Sequence, residues 1–177
     1  MDSEKDSHIS LLLGETQRIL LLSKYLIQQL NSEEFSSPLE IIQNNSISQH
    51  FRHIIEFYGQ LLIEAKDKLD YDLRKRSSNL ESNPELALQS IDRLLDSIGE
   101  IQDRPMTLFM TLGQVKFRPT IQTSMLREIA YCNEHSIHHF ALIRIAISNC
   151  FPHIELPSGL GIANSTQVYI NSLQYRG

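Results

Sequence analysis

The stretch Glu128–Ile147, EIAYCNEHSIHHFALIRIAI, packs three of the chain's seven histidines into five residues of a run that reads as one long helix. His135 and His139 are four apart, so at 3.6 residues per turn their rings stack on one face, within reach of a single ion. His138 falls on the neighbouring face. Two imidazoles can each make a bond of about 2.0–2.1 Å to a transition metal, but a stable site needs at least one more ligand from another element. The fold must therefore bring a second segment alongside this helix.

At 177 residues the chain is long for one small domain and short for two, and it reads as a single domain, 1–177, with a substantial core. Its hydrophobic share of 41% and charged share of 21% are those of an ordinary globular protein. The net charge of -5 arises from 21 acidic against 16 basic residues with no basic block, which disfavours nucleic acid or an anionic membrane as a partner. Leu11–Leu30 is the best apolar run, and Glu15, Arg18 and Lys24 break it short of the roughly 20 residues of a membrane span. The N-terminal MDSEKDSHIS lacks the basic and continuous apolar segments of an export signal, so a cytoplasmic location is expected. Cys132 and Cys150 lie on one helix, about 27 Å apart by helical rise, and cannot pair. Cys132 reads as a small buried hydrophobe.

Taken in order, Leu12, Thr16, Ile19, Leu22 or Ser23, Leu26 and Leu30 mark a first long helix over about His8–Leu30. Asn31–Asn45, with Ser36-Ser37-Pro38 inside it, reads as a crossing loop with one short turn. Ser46 caps a second helix to about Asp67, with Ile47, Phe51, Ile54, Tyr58, Leu61 and Leu62 inward and His50 and His53 beside that stripe. Lys68–Asn83 is too polar for a core element. Its Asp70, Tyr71, Asp72, Arg74 and Arg76 either rim a pocket or form solvated ion pairs, of which the second is the simpler reading.

Asn83-Pro84 starts a third helix to about Ile101, with Leu86, Leu88, Ile91, Leu94, Leu95 and Ile98 inward. After Pro105 the stretch TLFMTLGQVKFRPT alternates around Gly113 and predicts a short hairpin, with Leu108, Met110 and Leu112 on one face. Thr123 or Ser124 opens the fourth helix, which carries the histidines to about Asn149. A short terminal turn or helix follows the turn residues Pro157–Gly161. The expected fold is all-α: a four-helix bundle with a long first crossover and a small β-hairpin before the last long helix.

The segment Ser46-Ile47-Ser48-Gln49-His50-Phe51-Arg52-His53, together with His135-Ser136-Ile137-His138-His139, resembles the DinB-like (YfiT-type) metal-binding four-helix bundles. Tyr71–Arg76 and the tail Gly161–Thr166 look like segments of uncharacterised bacterial members of that superfamily. The resemblance implies one divalent metal on three histidines, one from the second helix and a His-x-x-x-His pair from a later one. The pair is then His135 and His139. The family's helix-2 ligand, six residues after the apolar residue that opens the helix and just before another apolar residue, corresponds to His53. Periodicity instead favours His50, which lies about 60° from the centre of the apolar stripe against about 120° for His53. His53 is preferred, because a ligand facing a cavity between helices need not sit at the centre of the packed stripe.

Three neutral imidazoles would leave the ion its full charge and at least one open position, as in a catalytic rather than a structural site. Imidazole favours zinc or nickel, with iron or manganese as further options. Glu134 and Glu56 are candidates for orienting a ligand or moving a proton. The resemblance implies a metal-dependent enzyme acting on a small molecule, a transferase in which the metal binds a low-molecular-weight thiol as thiolate for attack on an electrophile. A hydrolase using activated water is the close variant. The contrasting expectation is a non-enzymatic bundle that forms a homodimer and whose histidines are structural.

Overall fold

The computed structural model describes residues 2–113 and 117–174. Helix α1 (Asp2–Ile27) turns Thr16, Ile19, Leu20, Ser23, Leu26 and Ile27 inward, positions whose three- and four-residue spacing makes one buried stripe. It begins earlier than its apolar pattern, and the last expected turn, up to Leu30, leaves the helix. The crossing that follows holds α2 (Ser32–Ser36), where the Asn31 side chain accepts from Glu33 N and Glu34 N and Glu34 reaches back to close a capping box. Its one buried side chain, Phe35, stacks on Phe51 with ring centroids 6.4 Å apart. Gln43 and Asn44 adopt φ of 58° and 61°, and this left-handed pair redirects the chain into the next helix.

Helix α3 (Ile47–Gly59) starts at the expected cap, with Ser46 Oγ accepting from Gln49 N at 3.2 Å and the Gln49 side chain returning to Ser46 N. Ile47, Phe51, Ile54 and Tyr58 are buried as the stripe predicts, and a π-helical turn over Gln60–Glu64 closes the helix. Helix α4 (Asn79–Ser82) is one turn long. Helix α5 (Pro84–Ser97) is capped by Asn83, whose side chain accepts from Leu86 N, with Pro84 at the first helical position. Its buried residues are Pro84, Ala87, Ile91 and Leu94, whereas Leu86, Leu88 and Leu95 are half-buried. The inward face is centred on Ala87, a small residue that carries little weight in an apolar count but stands four and seven residues before Ile91 and Leu94.

Strand β2 (Pro105–Phe109) pairs antiparallel with β3 (Thr120–Ser124), in register from Pro105↔Ser124 to Phe109↔Thr120. A hairpin after Pro105 is as expected, but its return strand falls on Thr120–Ser124, past most of the stretch that alternation marked, and residues 114–116 of that stretch lie outside the described residues. A third strand, β1 (Lys68–Leu69), adds in parallel to β2 and gives the order β1-β2-β3. Two residues carry no alternation, so the polar segment hid it. On β2 the buried side chains are Met106 and Leu108, while Met110 is half-buried and Leu112 exposed.

Helix α6 (Met125–Cys150) begins at its Ser124 cap and runs beneath both α1 and α3. Helix α5 also packs against α1 and α3, so these four helices surround one core. The chain then turns through Gly161, at φ +69°, where an added Cβ would stand 2.4 Å from the backbone N of Ala141; only glycine allows the tail to lie against α6. Helix α7 (Asn164–Gln174) ends the described chain. No helix among the described residues is long and apolar enough to cross a membrane.

Two substitutions test this account by urea unfolding. Ser46→Ala removes the α3 cap and is expected to cost about 1 kcal/mol. Phe51→Ala empties a fully buried ring site between α2 and α3 and is expected to cost about 3–5 kcal/mol.

Candidate metal centre

Contact between α3 and α6 brings the two histidine stretches together. His53 Nε2 lies 2.9 Å from His135 Nε2, and His139 Nε2 lies 3.2 Å from the same atom. Two nitrogens bound to one ion at about 2.0–2.1 Å stand about 2.9–3.4 Å apart for angles between right-angled and tetrahedral. The three half-buried rings therefore form a group that can hold a metal ion. His138 is exposed, as its place on the neighbouring face predicts.

His50 and His53 play different geometric parts. His53 sends its Nε2 into the group. His50, one turn earlier, puts its Nδ1 3.0 Å from Nδ1 of His139, on the far side of that ring from the shared nitrogens. Its Nε2 is buried without a partner.

Behind His53 stands an ion pair. Arg74 Nη2 lies 3.1 Å from His53 Nδ1, Nε donates to Glu56 Oε2 at 3.3 Å and Nη1 donates to the Tyr71 carbonyl at 2.9 Å. Glu56 also accepts from Ser77 N at 2.8 Å and lies 3.6 Å from Arg52 Nε. With its side chain only 4% exposed, this carboxylate is kept buried by two guanidinium groups and a backbone N–H. Arg74 thus takes the pocket-side reading of the polar segment rather than the solvated one. The solvated description fits Asp72 better, which is exposed and paired to Arg118 at 3.4 Å. Of the two glutamates singled out in the sequence, Glu134 is exposed and Glu56 is the one tied to a ring.

Aromatic rings wall the group. Phe57 has its centroid 4.3 Å from that of His53 and 4.7 Å from that of His135, and Tyr131 stacks on His135 at 5.6 Å. Phe57 and Tyr131 also line a cavity of about 610 Å³ between α6 and the sheet, together with Tyr71, Leu108, Met110 and Ile121. Glu128, wholly buried beside it, accepts from Tyr71 Oη at 3.1 Å, Thr123 Oγ1 at 2.7 Å and Arg127 Nη1 at 2.8 Å. A second cavity, of about 640 Å³, reaches Glu56 and Arg74. Neither cavity is lined by a histidine; each borders the group through the residues that brace it. Phe57 and Tyr131 were legible in principle, since they stand four residues after His53 and four before His135. Arg74 was among the residues of the polar segment that either rim a pocket or pair in solvent, but no spacing tied it to His53, because a loop places it.

Burial holds the rings neutral. It pushes His53 down to about 3, with Arg74 adding repulsion, and His139 down to about 3, with His53 adding to it. Burial also lowers His50 and His135, each helped by His138. Neutral imidazole is the form that ligates metals. Cys132 is buried and its thiol is pushed up to about 12, chiefly by that burial, so it is a protonated thiol packed 3.4 Å from the Tyr71 hydroxyl.

The depressed histidines make ion-free protein acid-sensitive. Unfolded histidine takes up a proton near pH 6.5, whereas His53 and His139 in the fold do so only near 3. Between those values the unfolded chain binds more protons, so stability present above about pH 6.5 is lost as pH falls towards 3. The urea midpoint of chelator-treated protein is expected to drop between pH 7 and 5, above the range where most carboxylates titrate. Replacing His53 and His139 by Gln should flatten that segment, and parallel profiles for the two proteins would contradict the assignment.

No family model matches this chain, and no solved structure does. A curated relative, FK506-binding protein 5 of Rhizopus delemar, is 31% identical over 107 residues, which cover 58% of this chain and 27% of that protein. The chain thus spans about a quarter of that relative's length, and the relative's name describes that protein alone.

Proposed function

We propose that this chain is a DinB-like metalloprotein in which α1, α3, α5 and α6 form a four-helix bundle holding one divalent transition metal on His53, His135 and His139. The observation that carries the reading is the convergence of three neutral Nε2 atoms from two helices, spaced 2.9 and 3.2 Å. The long first connection and the small sheet before α6 agree with it. Zinc or nickel suits an all-imidazole set best, with iron or manganese as further options. We further propose a cytoplasmic small-molecule enzyme, a thiol-dependent transferase first and a hydrolase second. Two free cysteines fit a reducing compartment.

An ion held by His53, His135 and His139 would supply Lewis acidity, which would favour the thiolate form of a thiol or activate water. The chain's own residues would do the rest. His50 orients the His139 ring through their Nδ1 contact. Phe57 and Tyr131 exclude water from one side of His135 and open onto the cavity beside the sheet. Glu128 there already accepts from three donors, so the cavity would select its ligand by apolar shape more than by charge.

A second reading is supported by the same distances, which also suit hydrogen bonds between imidazoles. In it the histidines are structural and a homodimer forms, for which exposed Val168, Tyr169, Ile170 and Leu173 on α7 offer an apolar face. Metal analysis of protein purified without a histidine tag separates the two. About one equivalent of metal per chain is expected, reduced to background in His135→Ala and in His139→Ala. Wild-type protein that is metal-free, and whose stability neither substitution changes, would sink the metal reading. If metal is found, a screen of low-molecular-weight thiols with electrophiles tests the transferase assignment.

A further inference from the structure

We propose that Arg74 is a positioning residue that holds the ion-free His53 in the tautomer unable to ligate, so that loading the centre requires the Arg74–His53 contact to break. The inference rests on the metal reading above and concerns what opposes it.

A guanidinium has five N–H donors, no acceptor and a permanent charge. Its contact with His53 Nδ1 at 3.1 Å is a hydrogen bond only if that nitrogen carries a lone pair. A neutral His53 then bears its proton on Nε2, aimed at His135 Nε2 at 2.9 Å, which must be an acceptor. His139 Nε2, 3.2 Å from that same nitrogen, shares its single lone pair with His53 if it too is a donor. Its Nδ1 is then a lone pair that receives the Nδ1–H of His50 at 3.0 Å. In that arrangement His135 Nε2 accepts twice on one lone pair, and the tautomer that Arg74 fixes is that of His53.

An ion needs lone pairs on all three Nε2 atoms, and hence protons on the Nδ1 atoms; His135 already has that form, and His53 must reverse. Four rings carry four protons before and after, so the change is tautomeric and nothing is ionised. His139 meets it when its Nδ1–H donates to His50, whose own proton then moves to the buried Nε2. His53 does not. Ligating histidines ordinarily donate their second N–H to a carboxylate or carbonyl, and here that N–H would face the N–H of Arg74. Nη2 must withdraw, and because the guanidinium is one rigid plane the bonds of Nε to Glu56 and of Nη1 to the Tyr71 carbonyl shift with it. The guanidinium charge beside a ligand ring opposes a cation in the same sense.

The test uses the full chain with zinc as probe. Nitrogen-15 NMR of the ion-free wild type is expected to show His53 protonated at Nε2 and bare at Nδ1, inverting when zinc is added. In competition with a chromophoric chelator, Arg74→Met is expected to bind zinc about tenfold more tightly than wild type, the size of effect typical for partners of ligating histidines. Arg74→Lys, which restores a charged donor, should return towards the wild-type value. Should Arg74→Met fail to fold, the wild-type spectrum decides. His53 protonated at Nδ1 without zinc would overturn the proposal. So would weaker zinc binding in Arg74→Met, which would mean that His53 ligates as an imidazolate paired with Arg74. Zinc bound with unchanged affinity overturns this proposal alone, whereas zinc taken up by neither protein overturns the metal reading and this proposal with it.

Discussion

The histidine group depends on a buried polar pin between three helices. Asn133 on α6 accepts at Oδ1 from Tyr58 of α3 at 2.8 Å and from Thr16 of α1 at 3.0 Å, all three residues being buried. Apolar side chains tolerate small slides along a helix interface, whereas hydrogen bonds to one oxygen do not. Tyr58 stands five residues after His53, and Asn133 two before His135. The pin that aligns α3 with α6 therefore stands about a turn and a half along α3 and about half a turn along α6 from the ligand rings whose separation it helps to set. Ser136, which donates to the Cys132 carbonyl at 2.7 Å, lies 3.5 Å from the Tyr58 hydroxyl and continues this polar seam.

Around the group, burial is tolerated because partners are supplied from outside α3 and α6. Glu56 could not sit almost wholly buried on α3 without Arg74 and the Ser77 N–H, both delivered by the segment between α3 and α5. The same segment provides Tyr71, whose ring stacks on Phe57 with centroids 4.6 Å apart and whose hydroxyl satisfies Glu128. A connection rich in Ser, Asn and charge is thus a structural part of the site. Asp70 helps to hold it, receiving two bonds from Arg118 at 2.5 and 2.7 Å. This pair keeps the Asp70 carboxyl below its usual range.

Much of this was legible in residue order. The caps Ser46, Asn83 and Ser124, the inward stripes of α1 and α3, and the hairpin after Pro105 follow from local rules of capping and periodicity. So does the stacking of His135 with His139. The misses share a cause. Strand β1 is too short to show alternation, Ala87 is too small to weigh in an apolar count, and Arg74 acts on residues some twenty positions away through a loop. None of these is a property of a residue and its near neighbours.

The division between His50 and His53 makes the same point. Sequence alone determined that both lie beside the buried stripe of one helix, because an α-helix rotates by about 100° per residue whatever it packs against. Which ring nitrogen would meet His135 was a matter for the packing of α3 on α6, since a helix can be laid against its neighbour at more than one rotation without changing its own hydrogen bonds. Tertiary structure put His53 Nε2 among the shared nitrogens, left His50 behind His139, and placed the Arg74 guanidinium where only a proton-free Nδ1 can receive it. The proposed tautomer of His53 follows from that last contact, because a group with donors and no acceptors dictates what can face it.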